Sequence, residues 1–170
     1  MSENNISKEK PVYISNIKIK PEKGAIRHAF LPPDDNEVIF GVHNEIAEHY
    51  GADSSSLTDP MPTTLDYIIA ATGGWMLGTL RRALAVREIP TGREYLTADV
   101  AGEVFKEKNN VLKIKNIKIL YNLTIEKELF DEKKEAIDRA IDHHASQCPV
   151  HLSIGNSIDI STDIHFEFIW

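Results

Sequence analysis

Residues 63–87 read TTLDYIIAATGGWMLGTLRRALAVR. Thr63 offers a side-chain oxygen to the first free N–H groups of a helix, and Asp66, three residues on, can reach back to it. The chain is therefore expected to turn helical here and to run to about Arg87, ahead of the helix-breaking Pro90. Its apolar residues are not confined to one stripe, because Ile68, Ile69, Ala71, Trp75, Met76, Leu77 and Leu80 point in most directions. A helix of this kind must be covered on nearly every side. One layer of sheet from the same chain covers only part of it, so a second copy of the chain is expected against the rest. The uncharged run from Tyr67 to Leu80 is short of the roughly twenty residues that span a bilayer.

Strand patterns flank this helix. Val12, Ile14, Ile17 and Ile19 alternate with polar residues, and Ala25 to Leu31 follows the turn-prone Pro21-Glu22-Lys23-Gly24, which predicts a hairpin. A second turn at Pro32 to Asn36 leads to the apolar run Val38 to Val42. From His43 to Pro62 the chain reads as a polar, irregular connection of the length used by binding loops and lids. After the helix, residues 94–106 and 111–125 read as two long strands, the second shifting its alternation at Asn116. Asp131 to about Gln147 is an amphipathic helix with Ile137, Ala140, Ile141, His144 and Ala145 on one side, and residues 158–168 form a last strand. The fold class is α+β, helices packed on an antiparallel sheet.

Composition narrows the function. The 170 residues are 42% hydrophobic and carry a net charge of -7, proportions of one compact domain over 1–170, with the polar residues 1–10 expected to be flexible. An acidic chain is a poor nucleic-acid partner, since duplex binding relies on clustered Lys and Arg. The start lacks the apolar core of a signal peptide, so a cytoplasmic, non-membrane protein is expected. With one cysteine, Cys148, an intrachain disulfide is impossible.

Cys148 precedes Pro149. Proline disfavours a helical residue before it and suits the first position of a new helix, so Cys148 is placed at a helix N-cap, where free N–H groups favour a thiolate. A buried, inert cysteine at a helix break is the competing reading. His144, Cys148 and His151 are all ligand types, but their spacing matches no zinc motif, and no metal or other cofactor is expected.

Three segments together resemble the osmotically inducible protein C (OsmC) and organic hydroperoxide resistance family. They are Leu65 to Gly74 opening the central helix, Leu112 to Leu123 as a long strand, and Ala145 to Ile154 around Cys148-Pro149-Val150. With the matching order of elements, the resemblance covers most of the chain from about residue 45. It implies an OsmC-like fold, an intertwined homodimer with the two central helices at its centre, a stress-response role, and a thiol peroxidase site at the subunit interface. In active members a peroxidatic cysteine follows the small residues of the central helix, and a second cysteine before proline resolves its sulfenic acid. Cys148 matches the resolving position, and Trp75 stands at the peroxidatic one.

Indole has no nucleophilic sulfur, and the other partners depart too. The family's acid lies ten residues before the peroxidatic cysteine, where this chain has Leu65; Asp66, nine before, points about 180° away from Trp75 on a helix. No arginine lies between His43 and Pro62, and Arg27 is the only one before residue 81. The resemblance therefore implies a divergent member without peroxidase chemistry, with a pocket of Trp75, Met76, Asp66, His144 and His151 near Cys148 that takes a small apolar molecule or an organic hydroperoxide. The alternatives are a one-cysteine hydroperoxide reductase with Cys148 as its catalytic residue, and a purely structural dimer core filled by Trp75.

Overall fold

The computed structural model describes residues 10–170, which fall into two compact units, one ending at Thr64 and the other spanning Leu65–Trp170. The flexibility expected of residues 1–10 concerns, apart from Lys10, positions outside the described residues.

In the first unit β1 (Lys18–Pro21), β2 (Arg27–Leu31) and β3 (Asn36–Phe40) form an antiparallel meander. The first strand is shorter than the alternation predicts. Val12, Ile14 and Ile17 lie outside it and are exposed, because alternation alone does not supply a partner strand. Gly24, at φ 70°, makes the turn into β2 in the left-handed region that costs glycine nothing. His28 on β2 donates from Nδ1 to Glu37 (2.7 Å) and from Nε2 to Glu22 (2.5 Å), a pair of bonds that only the imidazolium can make.

After β3, Gly41 N–H donates to the carbonyl of Pro62 and Met61 N–H to that of Val42, so the intervening segment leaves and returns at one place. A Cβ on Gly41 would meet the Met61 Cβ at 2.5 Å. The segment is less irregular than expected. It contains α1 (Asn44–His49), with Ala47 fully buried, and a single 3-10 turn at Ser54–Ser56 capped by Asp53. A six-residue helix is too short to show a 3.6-residue period in sequence.

In the second unit β4 (Leu96–Lys106), β5 (Leu112–Glu126) and β6 (Asp159–Ile169) form a sheet in the order β4-β5-β6. One face carries Ile114, Ile117, Ile119, Tyr121, Leu123 and Ile125, all buried. Ile114 and Ile117 both point inward because the ladder bulges at Lys115, which is the phase shift visible in the sequence at Asn116. The helix α2 (Thr64–Ala85) lies against this face with Thr72, Gly73, Met76, Leu80 and Leu84 buried. Two glycines set the distance. A Cβ on Gly73 would stand 2.4 Å from Val100 of β4, and one on Gly102 of β4 would stand 2.2 Å from the end of the Ile69 side chain.

The connection after β5 departs from the prediction twice. The helix α3 (Lys127–His144) starts directly at the strand end, four residues earlier than its apolar stripe indicates, because Phe130 in its first turn meets Phe166 and Phe168 of β6 at 4.9 and 5.0 Å. The sheet expected to be antiparallel throughout is mixed. β6 pairs parallel to β5, as two strands joined by a helical crossover must when the chain returns to the same end. That crossover is α3, a 3-10 turn at Ala145–Gln147 and α4 (Pro149–Ile154). No helix among the described residues is long and apolar enough to cross a membrane.

Two outcomes test this packing. Gly73→Ala should lose about 1–3 kcal/mol of stability, the ordinary cost of overpacking, because its Cβ would meet Val100. Urea unfolding decides it, and an unchanged or raised stability would contradict the geometry. In the first unit, the hydrogen bonds from Glu22 and then Glu37 raise the pKa of His28 above 6.5. Its contribution to stability is then complete below pH 6.5 and lost as pH rises through the raised value. Proton NMR should find the ring titrating above 6.5, and a value at or below it would show that the two carboxylates do not hold the cation.

Candidate functional site

The end of α3 and the start of α4 are where β5 brings its polar core residue. Cys148 is the N-cap of α4, with extended backbone, Pro149 at the first helical position, and its sulfur accepting from His151 N–H at 3.5 Å. This is the geometry read from the Cys-Pro pair. The thiol, however, is completely enclosed, at 0% exposure. A peroxide cannot touch the sulfur unless this corner opens.

A hydrogen-bonded pair lies beside it. Tyr121 of β5 and His144, both buried, are joined O–H to Nε2 at 2.9 Å, and His144 Nδ1 lies 2.6 Å from the carbonyl of Ile141. A carbonyl only accepts, so Nδ1 carries the proton and Nε2 takes the Tyr121 hydroxyl hydrogen. The neutral ring is what the site favours. Burial pushes the pKa of His144 below 6.5, opposed by the bond to Ile141 and aided by the nearby His151. Burial likewise pushes the Tyr121 phenol well above its usual range, and the neighbouring Cys148 adds to this. Both groups are thus held uncharged at neutral pH, in contact with the core. His151 Nδ1 is buried without a hydrogen-bond partner among the described residues.

On the solvent side of this corner α2 and α3 diverge to leave a groove of about 760 Å3. Trp75, Gly78, Ala83 and Val86 of the α2 side and Ala140, His144 and Pro149 of the other supply its apolar and aromatic walls. Arg82, Arg87, Arg139, His143, Thr79 and Gln147 supply the polar ones. Trp75 is 54% exposed, so its indole forms a wall and does not fill the interior of the single chain. A cavity of this size lies within the range of small-molecule sites, roughly 300–1,000 Å3.

The residues read from the sequence as one pocket divide among three places. Trp75 and His144 do share the groove. Met76 is a core residue of α2 at 0% exposure, turned about 100° around the helix from Trp75. Asp66, in the first turn of α2, lines a separate hollow with Gly73, Gly74, Asp99 and Gly102. His151 belongs with Cys148 in the enclosed corner. Among the described residues no group of three His, Cys, Asp or Glu is placed to hold a metal ion. The arginines of the groove were missed in the sequence. Arg82 and Arg139 are far apart in the chain, and nothing in their local spacing marks them as neighbours.

No family model and no curated protein matches the chain. Solved structures do. An OsmC-like protein from Mycoplasma pneumoniae superposes with a TM-score of 0.67 at 12% identity, over 92% of this chain and 99% of that one. The fold is that of the OsmC-like proteins. The organic hydroperoxide resistance protein OhrB of Bacillus subtilis has a TM-score of 0.59 at 14% identity, over 91% of this chain and 100% of its own. An osmotic stress induced and detoxification response protein from Psychrobacter arcticus has 0.62 at 18% identity, over 93% and 99%. An OsmC fold thus accounts for the long helix on a sheet and for the crossover that carries Cys148.

If the corner is closed as described, Cys148 should resist a thiol reagent in the native protein and react fully once unfolded. Tyr121→Phe should lower stability by about 1–3 kcal/mol, because it leaves His144 Nε2 buried and unsatisfied, and should speed the modification of Cys148. Rapid native-state reaction in the unmutated protein would contradict the enclosure.

Proposed function

We propose that the chain is a cytoplasmic, homodimeric member of the OsmC group that has left thiol peroxidase chemistry and binds a small molecule in the α2–α3 groove. The observation that carries this reading is a contrast at one corner of the fold. The only thiol of the chain is sealed at 0% exposure, while the space beside it is open and walled by Trp75, His144 and Pro149. Thiol-dependent reduction of a hydroperoxide needs an accessible thiolate, a donor for the leaving oxygen and a second thiol to close the cycle. The chain has no second cysteine to supply the last of these.

The dimer is supported by the side of α2 that the sheet does not cover. Ile68, Ala71 and Gly74 recur at helical spacing, all exposed. A Cβ on Gly74 would meet nothing within 4 Å, so another helix can approach closely there. The organic hydroperoxide resistance proteins among the structural neighbours make hydroperoxide reduction the activity to exclude first.

Light scattering at micromolar concentration should return twice the 19.1 kDa chain mass, and Gly74→Arg should shift the protein toward monomer. Cumene hydroperoxide with a dithiol reductant should be consumed no faster than without protein. Turnover on the order of 1 to 1,000 per second, abolished by Cys148→Ser, would replace this proposal with the one-cysteine reductase.

A further inference from the structure

The groove has a charge that the rest of the chain does not. The protein carries a net charge of -7, yet Arg82, Arg87, Arg139 and His143 line this one space and, among the described residues, no Asp or Glu does. The carboxylates next in sequence to Arg87 and Arg139 are engaged by lysines. Glu88 pairs with Lys133 at 2.9 Å and Asp138 with Lys134 at 2.6 Å. Arg87 donates to the carbonyl of Ala83 at 2.6 Å. Among the described residues, neither Arg82 nor Arg139 makes an ion pair. Two guanidinium groups, one on each wall, are therefore available to a ligand.

Between them lies an apolar surface. On a helix the residues three and four positions on would cover the ring of Trp75. Here they are Gly78, which has no side chain, and Thr79, which turns its hydroxyl back onto the carbonyl of Trp75 at 2.8 Å. The indole face is left bare, 54% exposed, beside Val86 and Pro149.

We propose that the α2–α3 groove binds an organic anion, its flat apolar body lying on Trp75 and its anionic head held by Arg82 and Arg139. This rests on the reading of the groove as a small-molecule site and adds the chemical class of the ligand. Guanidinium forks match the two oxygens of a carboxylate or the oxygens of a phosphate. The low-dielectric wall formed by Trp75 and Pro149 strengthens that attraction, and the acidic remainder of the surface confines it to this one place.

Calorimetry with 2-naphthoate and its neutral isostere 2-naphthamide tests the inference on the full-length protein, in a Trp170→Phe background so that emission reports Trp75 alone. Naphthoate should bind at least about tenfold more tightly than the amide at low salt, and the preference should shrink as salt approaches about 1 M. The double variant Arg82→Gln, Arg139→Gln should bind both compounds alike, with an unchanged melting temperature. Trp75→Leu should weaken both. Equal binding of acid and amide by the unmutated protein would overturn the anion inference while leaving a small-molecule site, as would a preference that survives in the double variant. If neither compound binds and Trp75 emission does not change, the groove reading beneath it fails as well.

Discussion

The contact on which the second unit depends is the approach of α2 to β4 at two glycines. Gly73 of the helix lies over Val100 of the strand, and Gly102 of the strand lies under Ile69 of the helix, each leaving no room for a Cβ. Small residue against branched residue, in both directions, lets a helix backbone settle deep on the sheet. Met76, Leu80 and Leu84 then reach the row of β5 side chains and are sealed. Everything downstream is placed by that depth. α3 and the turn after it can lie beside α2 on the same face, and the end of α3 brings His144 over Tyr121.

Burying one side of α2 this deeply leaves the opposite side bare. The same helix therefore serves as core and as surface, which explains why its sequence is apolar nearly all round. Gly74 lies on its exposed edge, and its boundary with α3 carries Trp75 into the groove. The enclosed corner and the open groove share His144, whose ring is tied by Tyr121 on one nitrogen and Ile141 on the other. A ring fixed in this way contributes shape and a neutral wall to the groove. The polar part of the groove comes instead from the arginines, which stand outside the core.

Much of the architecture was legible in the chain before any coordinates. The helix start after Thr63, the two long strands read over 94–106 and 111–125, the shift at Asn116 and the helix break at Cys148-Pro149 are local signals, and each corresponds to a feature of the fold. Cys148 as the N-cap of α4 is the sharpest of them. The early start of α3 was not legible because it rests on Phe130 meeting two residues of a strand nearly forty positions later. The short helix α1 lay below the length at which periodicity shows. The pocket assembled from Trp75, Met76, Asp66, His144 and His151 came apart because a helix rotates 100° per residue, so adjacent residues such as Trp75 and Met76 face different surroundings.

By itself, the sequence marked the central helix, the long strands and the amphipathic helix, and showed that one thiol is present. These follow from side-chain type and spacing along a local backbone, and they are the same wherever the segment is placed. Tertiary structure alone decided that the thiol is sealed, that β6 runs parallel to β5, and that Arg82 and Arg139 share a groove lined by no carboxylate among the described residues. Enclosure and charge pairing depend on which distant surfaces meet, and a one-dimensional pattern carries no term for the distance between residues 82 and 139.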